Sequence, residues 1–312
     1  MSLLVTGGAG FIGSHLIERV LADGDERIVC LDNFNDFYDP AIKRTNVAAI
    51  AGHPRVTLIE GDFCDAPAMR QLFQAHRVTR VVHLGAYAGV RPSVANPFIY
   101  ERTNVGGTLA LLEAARQFPV ERFLLISSST VYGHPAVAPF VEDGPLGRPL
   151  SPYGASKRAA EVFGQTYFQL CLRPFSVYGP RLRPDLALSI WTKAITRGEK
   201  LPLFGDGTIR RDFTHVSDIC TGLLAALQRP EAVGEMINLG HDEPIELRQV
   251  IATLEEAIGK KAAIDRQPEK PGEMPITHAD LTRARKLLGF APRVAFADGV
   301  RDFVAWYRGC GV

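Results

Sequence analysis

Tyr153 and Lys157 stand four residues apart in Tyr153-Gly154-Ala155-Ser156-Lys157, directly after Ser151-Pro152. On a helix that spacing puts both side chains on one face. An ammonium near a phenol favours the phenolate, and a phenolate is a usable base near neutral pH. A second cluster, Ser127-Ser128-Ser129-Thr130-Val131-Tyr132-Gly133, follows an apolar run. Core packing explains a row of hydroxyls poorly; hydrogen bonding to a polar ligand explains it well. Alone, the first cluster also fits an exposed helix face and the second a turn or cap. Together they describe a site for proton transfer at a ligand oxygen.

A third constellation lies at the start of the chain. Gly7-Gly8-Ala9-Gly10-Phe11-Ile12-Gly13 joins an apolar strand to a helix with the spacing G-x-x-G-x-x-G. Gly7 suits the tight turn, Gly10 lets backbone approach a pyrophosphate, and Gly13 allows close helix–strand packing. The opening helical turn, with Phe11 and Ile12, offers amides and partial positive charge to phosphate. Asp32 ends the second strand 19 residues after Gly13, where an acid grips the adenosine ribose. Its charge repels a 2′-phosphate, which favours NAD over NADP. A nicotinamide cation would add to the lysine's pull on Tyr153. Asp62-Phe63 follows the third strand and suits the adenine, although Asp62 also fits a helix N-cap ahead of Pro67. His83-Leu84-Gly85-Ala86 ends the fourth strand, and Leu84 and Ala86 offer a flat cofactor a backbone surface. His83 reads as a packed strand residue.

These residues need a scaffold that brings strand ends together. Apolar runs at 2–6, 27–31, 55–60, 80–84, 122–127 and 169–175 alternate with helix-period segments at 12–21, 42–50, 66–75, 99–118 and 153–167. That alternation predicts an α/β fold, a Rossmann-type doubly wound parallel sheet covered on both faces. After about Tyr178, prolines and glycines punctuate shorter elements. The expected division is an NAD-binding domain over 1–175, with 210–235 returning to it. A smaller α/β substrate lobe then takes 176–209 and 236–312.

Bulk properties narrow the class. The chain has 312 residues, 46% hydrophobic and 22% charged, with 35 basic against 34 acidic side chains. That balance gives no general attraction for nucleic acid or membrane, so anion recognition rests on placed residues. The five cysteines are scattered without metal-ligand or disulfide-scaffold spacing, and no metal site is expected. Reduced thiols, the short lead into the glycine turn and the lack of a long apolar run predict a cytoplasmic protein.

With these motifs in this order, the chain resembles an extended short-chain dehydrogenase/reductase of the NAD-dependent sugar epimerase/dehydratase family. The resemblance runs from Leu4 to about Tyr307 and includes Val177-Tyr178-Gly179-Pro180 and Arg211-Asp212-Phe213. It implies a Rossmann domain, a substrate lobe, and a homodimer built on helices around 99–117 and 153–167. It places the catalytic hydroxyl at Ser128, with Tyr153 as base and Lys157 holding the nicotinamide ribose. Family members that dehydrate carry an acidic pair where this chain has Ser129 and Thr130. Those that decarboxylate usually carry an acid at the second position. The implied reaction is therefore 4-epimerisation.

Residues 31–40 (including Asn33), 88–91 and 183–187 resemble UDP-glucuronate 4-epimerases. The resemblance adds Asn33 to the cofactor set, and Arg91, Ser129, Thr130, Ser176, Arg183 and Arg211 to a UDP-sugar site. Arg211 corresponds to a pyrophosphate arginine, with a salt bridge to Asp212 as its plainer role. Ser176 stands where UDP-galactose 4-epimerases usually have Asn. Departures are Pro92 after Arg91, where an aromatic is expected, Glu273 in the Pro271-Gly272 turn, and the stretch Pro180-Arg181-Leu182. UDP-glucose/UDP-galactose epimerisation, UDP-glucuronate decarboxylation and a non-catalytic NAD-binding scaffold remain as alternatives.

Overall fold

The computed structural model describes residues 2–167, 169–268 and 274–310. The strands are β1 (Ser2–Thr6), β2 (Arg27–Asp32), β3 (Val56–Glu60), β4 (Val78–His83), β5 (Arg122–Ile126), β6 (Leu170–Pro174), β7 (Ser176–Tyr178), β8 (Lys200–Phe204), β9 (Arg210–His215), β10 (Met236–Leu239), β11 (Pro244–Glu246) and β12 (Ala263–Gln267). The helices are α1 (Phe11–Asp23), α2 (Pro40–Val47), α3 (Ala66–His76), α4 (Val90–Ala95), α5 (Pro97–Tyr100), α6 (Thr108–Ala115), α7 (Pro152–Thr166), α8 (Ala187–Arg197), α9 (Val216–Gln228), α10 (Leu247–Ile258), α11 (Thr282–Leu288) and α12 (Phe296–Gly309).

Seven parallel strands form the main sheet in the order β10-β6-β5-β4-β1-β2-β3. Along β1, Leu3 and Val5 enter one hydrophobic cluster and Leu4 the other. The sheet is thus buried on both faces, which is why its strands read as apolar runs without alternation. Strand order reverses between β1 and β4, and the crevice beyond their carboxyl ends is where such sheets bind ligands. The glycine turn leaves β1 at that point, and Leu84 and Ala86 follow β4 there.

Three details depart from the expected outline. β10 joins the main sheet beside β6, although its residues were assigned to the substrate lobe. β9, at the head of the segment expected to return to the sheet domain, instead joins β7 and β11 in a separate three-stranded sheet. From that segment, α9 packs against α1. The helix expected over 99–118 is interrupted by a π-helical turn, Glu101–Gly107. There Asn104 is drawn to the backbone of Tyr87, donating to its carbonyl at 2.9 Å and accepting from its N–H at 2.8 Å. Gly107 follows because a Cβ would lie 2.6 Å from the Phe63 ring. Periodicity alone does not reveal one extra residue in a turn.

Candidate active site

The chemical centre is assembled from β5 and α7. Ser151 caps α7, its Oγ accepting from the Gly154 N–H at 3.1 Å, so the helix starts with Tyr153 in its first turn. Ser128 precedes a short 3₁₀ turn, Ser129–Tyr132, that carries Ser129 and Thr130. The Ser128 Oγ accepts from the Thr130 N–H at 3.2 Å and its hydroxyl at 3.0 Å. Ser128 lies near enough to the Tyr153 phenol to favour its ionised form.

Burial pushes the phenol pKa up, while the Ser128 hydroxyl and the nearby Arg183 charge pull it back. Lys157 is buried and donates to the Ile126 carbonyl at 2.6 Å. Desolvation lowers its pKa to about 8 against an upward pull from Glu161. The sequence reading gave Lys157 the task of lowering the Tyr153 pKa. The structure sets a further cation, Arg183, near the phenol, and its charge pulls the same way. His83 bridges Thr6 Oγ1 (2.6 Å) and Thr108 Oγ1 (3.0 Å), and burial lowers its pKa to about 3. It is a neutral packed residue, not an acid–base group.

The glycine turn has the shape of a dinucleotide cradle. Gly7 has φ +66°, and a Cβ there would lie 2.9 Å from Gly85 backbone. A Cβ on Gly13 would lie 2.4 Å from the Gly7 carbonyl. Gly10 differs: its Cβ would meet only the Gly7 carbonyl, at 3.1 Å, leaving space over the turn. Gly10 is also the N-cap of α1 and supplies no side chain to its amides. The amides at Phe11 and Ile12 are therefore available to a phosphate, the fit that NAD requires.

Asp32 is buried at the end of β2. Its oxygens accept from Ala9 N–H (3.2 Å) and Phe34 N–H (2.9 Å). Lys43, also buried, has its ammonium 3.6 Å from the Asp32 carboxylate. The expected repulsion of a 2′-phosphate by Asp32 is thus partly offset. Asn33 Oδ1 accepts from the Asn35 N–H at 3.2 Å, continuing the turn. Asp62 is not the N-cap of α3: Asp65 holds that position, accepting from the Ala68 N–H at 3.0 Å. Asp62 instead accepts from the Cys64 N–H at 2.9 Å, and the buried Phe63 packs edge-on to His83.

The substrate side is built from longer reaches. Ser176 lies half-buried on β7, and Arg183 follows the β7 turn. The Arg183 fork is bidentate to Asp185, at 2.9 and 2.8 Å, and lies 5.6 Å from the Phe37 ring centre. Asp185 thus already satisfies the Arg183 fork before any sugar binds. Arg91, exposed on α4, stacks its guanidinium 4.9 Å from the Phe204 ring centre, bridging to β8. Pro92 sits inside α4 against Gly89. Arg211 donates to the Arg210 and Met274 carbonyls, both at 2.8 Å. Asp212 accepts from the backbone amides of His241, Asp242 and Ala279. Pro271, Gly272 and Glu273 lie outside the described residues.

This cradle, hydroxyl–tyrosine–lysine centre and arginine-lined lobe can be compared with known proteins. The family described as GDP-mannose 4,6 dehydratase matches residues 4–303. The chain belongs to that family, among the extended short-chain dehydrogenases/reductases. Within the family, it is 37% identical over 312 residues to a UDP-glucuronate 4-epimerase of Thermodesulfobacterium geofontis, covering 98% of this chain and 95% of that protein. It is 36% identical over 331 residues to UDP-glucuronate 4-epimerase 4 of Arabidopsis thaliana, covering 98% and 75% respectively. The crystal structure of UDP-glucuronic acid 4-epimerase from Bacillus cereus, in complex with UDP-glucuronic acid and NAD, superposes with TM-score 0.94 at 35% identity. That match covers 99% of this chain and 100% of the other.

Three residues near the candidate site, Lys43, Asn104 and Tyr100, carry no signal in the sequence. Lys43 is followed by Arg44, Thr45 and Asn46 in α2, so nothing in the sequence marks it as buried. Asn104 donates to Ser156 Oγ at 3.0 Å, and Ser156 in turn bonds the Tyr153 carbonyl at 2.9 Å. Tyr100 packs edge-on to Tyr153 with ring centres 6.2 Å apart. A polar residue inside a helix period and an aromatic in an apolar stretch carry no local signal of this kind.

Proposed function

We propose that the chain is an NAD-dependent 4-epimerase of a UDP-hexuronic acid, interconverting UDP-glucuronate and UDP-galacturonate. The observation that carries this reading is that both Ser128 and the Arg183 charge act on Tyr153, with no carboxylate at Ser129 or Thr130. The epimerases among its relatives support it.

Bound NAD supplies a reversible hydride acceptor at the sugar C4, so it is not consumed. Tyr153 takes the 4-hydroxyl proton and later returns it. Ser128 holds the 4-oxygen, with Ser129 or Thr130 beside it. Lys157 holds the nicotinamide ribose. Gly7, Gly10 and Gly13, with the amides at Phe11 and Ile12, receive the pyrophosphate. Asp32 and Asn33 take the adenosine ribose, Asp62 and Phe63 the adenine, and Leu84 and Ala86 the flat face. Arg91 and Arg211 serve the UDP end.

A 4-keto uronate is a β-keto acid and loses carbon dioxide readily. Ser176 and Arg183 therefore fix the carboxylate and keep its charge localised, with Arg183 sharing its fork between Asp185 and the substrate. A homodimer is part of the reading. Val94, Phe98 and Val162 are exposed on α4, α5 and α7, which pack against one another, and Phe98 is 81% exposed. These exposed apolar side chains support that reading. The buried free thiols Cys30, Cys171 and Cys220 suit a reducing, cytoplasmic setting.

The test incubates purified protein with a panel of UDP-sugars and identifies products by NMR. Interconversion of the two UDP-uronates with little UDP-pentose supports the reading. Equal turnover of UDP-glucose redirects it to the galactose-type reaction, and mainly UDP-pentose to decarboxylation.

A further inference from the structure

Behind the reaction centre lies a fully buried ion pair that the mechanism above does not use. Arg173 of β6 is 0% exposed and Glu161 of α7 is 2% exposed. The guanidinium grips the carboxylate in a fork, Nε to Oε1 at 2.8 Å and Nη2 to Oε2 at 2.9 Å. Taking two charges out of water costs several kcal/mol per ion, and an apolar pair of the same volume is often as stable. Stability is thus a weak reason for this pair.

Its connections suggest a stronger one. Glu161 lies four residues after Lys157, on the same face of α7. Arg173 also donates to the Glu142 carbonyl at 3.2 Å, and its guanidinium lies 4.8 Å from the Tyr132 ring centre. Tyr132 closes the 3₁₀ turn that begins beside Ser128, and its hydroxyl donates to Asn238 Oδ1 of β10 at 2.7 Å. One arginine therefore ties the helix bearing Tyr153 and Lys157 to the segment bearing Ser128.

The groups around Lys157 come from four elements: Glu161 on its own helix, Cys171 on β6, His83 on β4 and the Ile126 carbonyl on β5. Burial raises the Cys171 pKa to about 12 and lowers that of His83 to about 3, so both are neutral near pH 7. Glu161 is the anion of the set.

We propose that Glu161, clamped by Arg173, is a positioning residue for Lys157, keeping its amine charged and aligned while locking α7 to the Ser128 segment. This rests on the role given to Lys157 above. Desolvation alone would strip the proton from that amine, and the Glu161 carboxylate opposes it. The clamp holds the carboxylate in place.

The test is a ¹³C NMR titration of NAD-loaded protein labelled at lysine Cε, with the Lys157 signal identified by its loss in Lys157→Met. Glu161→Gln keeps shape and removes charge. Its Lys157 midpoint is expected to fall by about one pH unit or more, since a lost nearby charge shifts a pKa by that order. The ammonium is the working form, so the alkaline limb of kcat/KM moves to lower pH by the same amount. Glu161→Asp retains the charge and restores the limb toward wild type. Should Glu161→Gln fail to fold with Arg173 stranded, the double variant Glu161→Gln/Arg173→Met removes that buried charge, and its Lys157 midpoint is expected to fall by a smaller amount because a neighbouring cation is lost with the anion. An unchanged Lys157 midpoint in either variant overturns the proposal, even if kcat falls. The titration needs no substrate, so a failed epimerase reading and a failed clamp are told apart.

Discussion

The cofactor side and the substrate side of this site are built from different materials. The cofactor side is mostly backbone: glycines that admit close approach, uncapped amides opening α1, and the surface after β4. The substrate side is mostly long side chains held by other side chains or carbonyls. Arg183 is held by Asp185, Arg91 lies over Phe204, and Arg211 donates to backbone carbonyls. A backbone cradle is set once the fold forms and tolerates little change. An arginine fork can be redirected by altering its partner. The first should make cofactor binding all-or-none, and the second should make substrate preference adjustable.

The sharpest way to break this comparison is at the residue between the two sides. Tyr153→Phe keeps the ring that packs on Tyr100 and removes the ionisable oxygen. Turnover should fall by a factor on the order of 10²–10⁴, the usual worth of a general base. NAD binding and thermal stability should stay near wild type, because neither side of the cradle changes. Near-normal steady-state turnover would mean that another group moves the proton.

A smaller effect is expected at Arg183. Arg183→Ala should lose roughly 2 kcal/mol of preference for UDP-glucuronate over UDP-glucose, the low end for a hydrogen-bonded charge pair. The low end applies because Asp185 shares the fork and the pair is partly open to solvent. The loss should appear in kcat/KM for the uronate, leaving NAD affinity untouched. Asp185→Asn should move the preference the other way, since the fork is then free for the substrate. If both variants shift preference in the same direction, Asp185 is not a competitor for the substrate carboxylate.

The same contrast explains what the sequence disclosed. The sheet half was legible because its information is local: an apolar strand, three glycines and Asp32 within one βαβ unit. β1 lies where its apolar run predicted, and α7 begins at Pro152, one residue before the predicted start. The Tyr–Lys spacing needs only one helix to have meaning. β10 was assigned to the wrong layer because its four residues look the same in either sheet, and only pairing with β6 decides. Asp62 and Asp65 both precede the same helix, and backbone geometry chose Asp65 as its cap. Asp185 lay two residues from an arginine already singled out, yet the bidentate pair depends on the turn between them. Glu161 and Arg173 are 12 residues apart on a helix and a strand, a contact that no periodicity encodes.

The smallest effects should come where the two materials meet, at Asp32 and Lys43. Asp32 is a side chain on the backbone-built side, and the ammonium 3.6 Å away divides its charge. Two substitutions should therefore move cofactor choice in opposite directions. Asp32→Ala removes the acceptor for the ribose hydroxyls and leaves Lys43 as an unbalanced cation beside the ribose. The ratio of NADP to NAD dissociation constants should fall, on the order of tenfold, a change of about 1.4 kcal/mol. Lys43→Met keeps the carboxylate and removes its counter-charge, so NADP should bind still more weakly relative to NAD. Desolvation already lowers the Lys43 pKa while Asp32 raises it, so the pair is balanced against burial rather than solvated. Direct titration of both cofactors against wild type and the two variants checks the signs. If Lys43→Met improves NADP binding, the lysine does not offset Asp32, and the discrimination lies in the backbone around Asn33 and Phe34 instead.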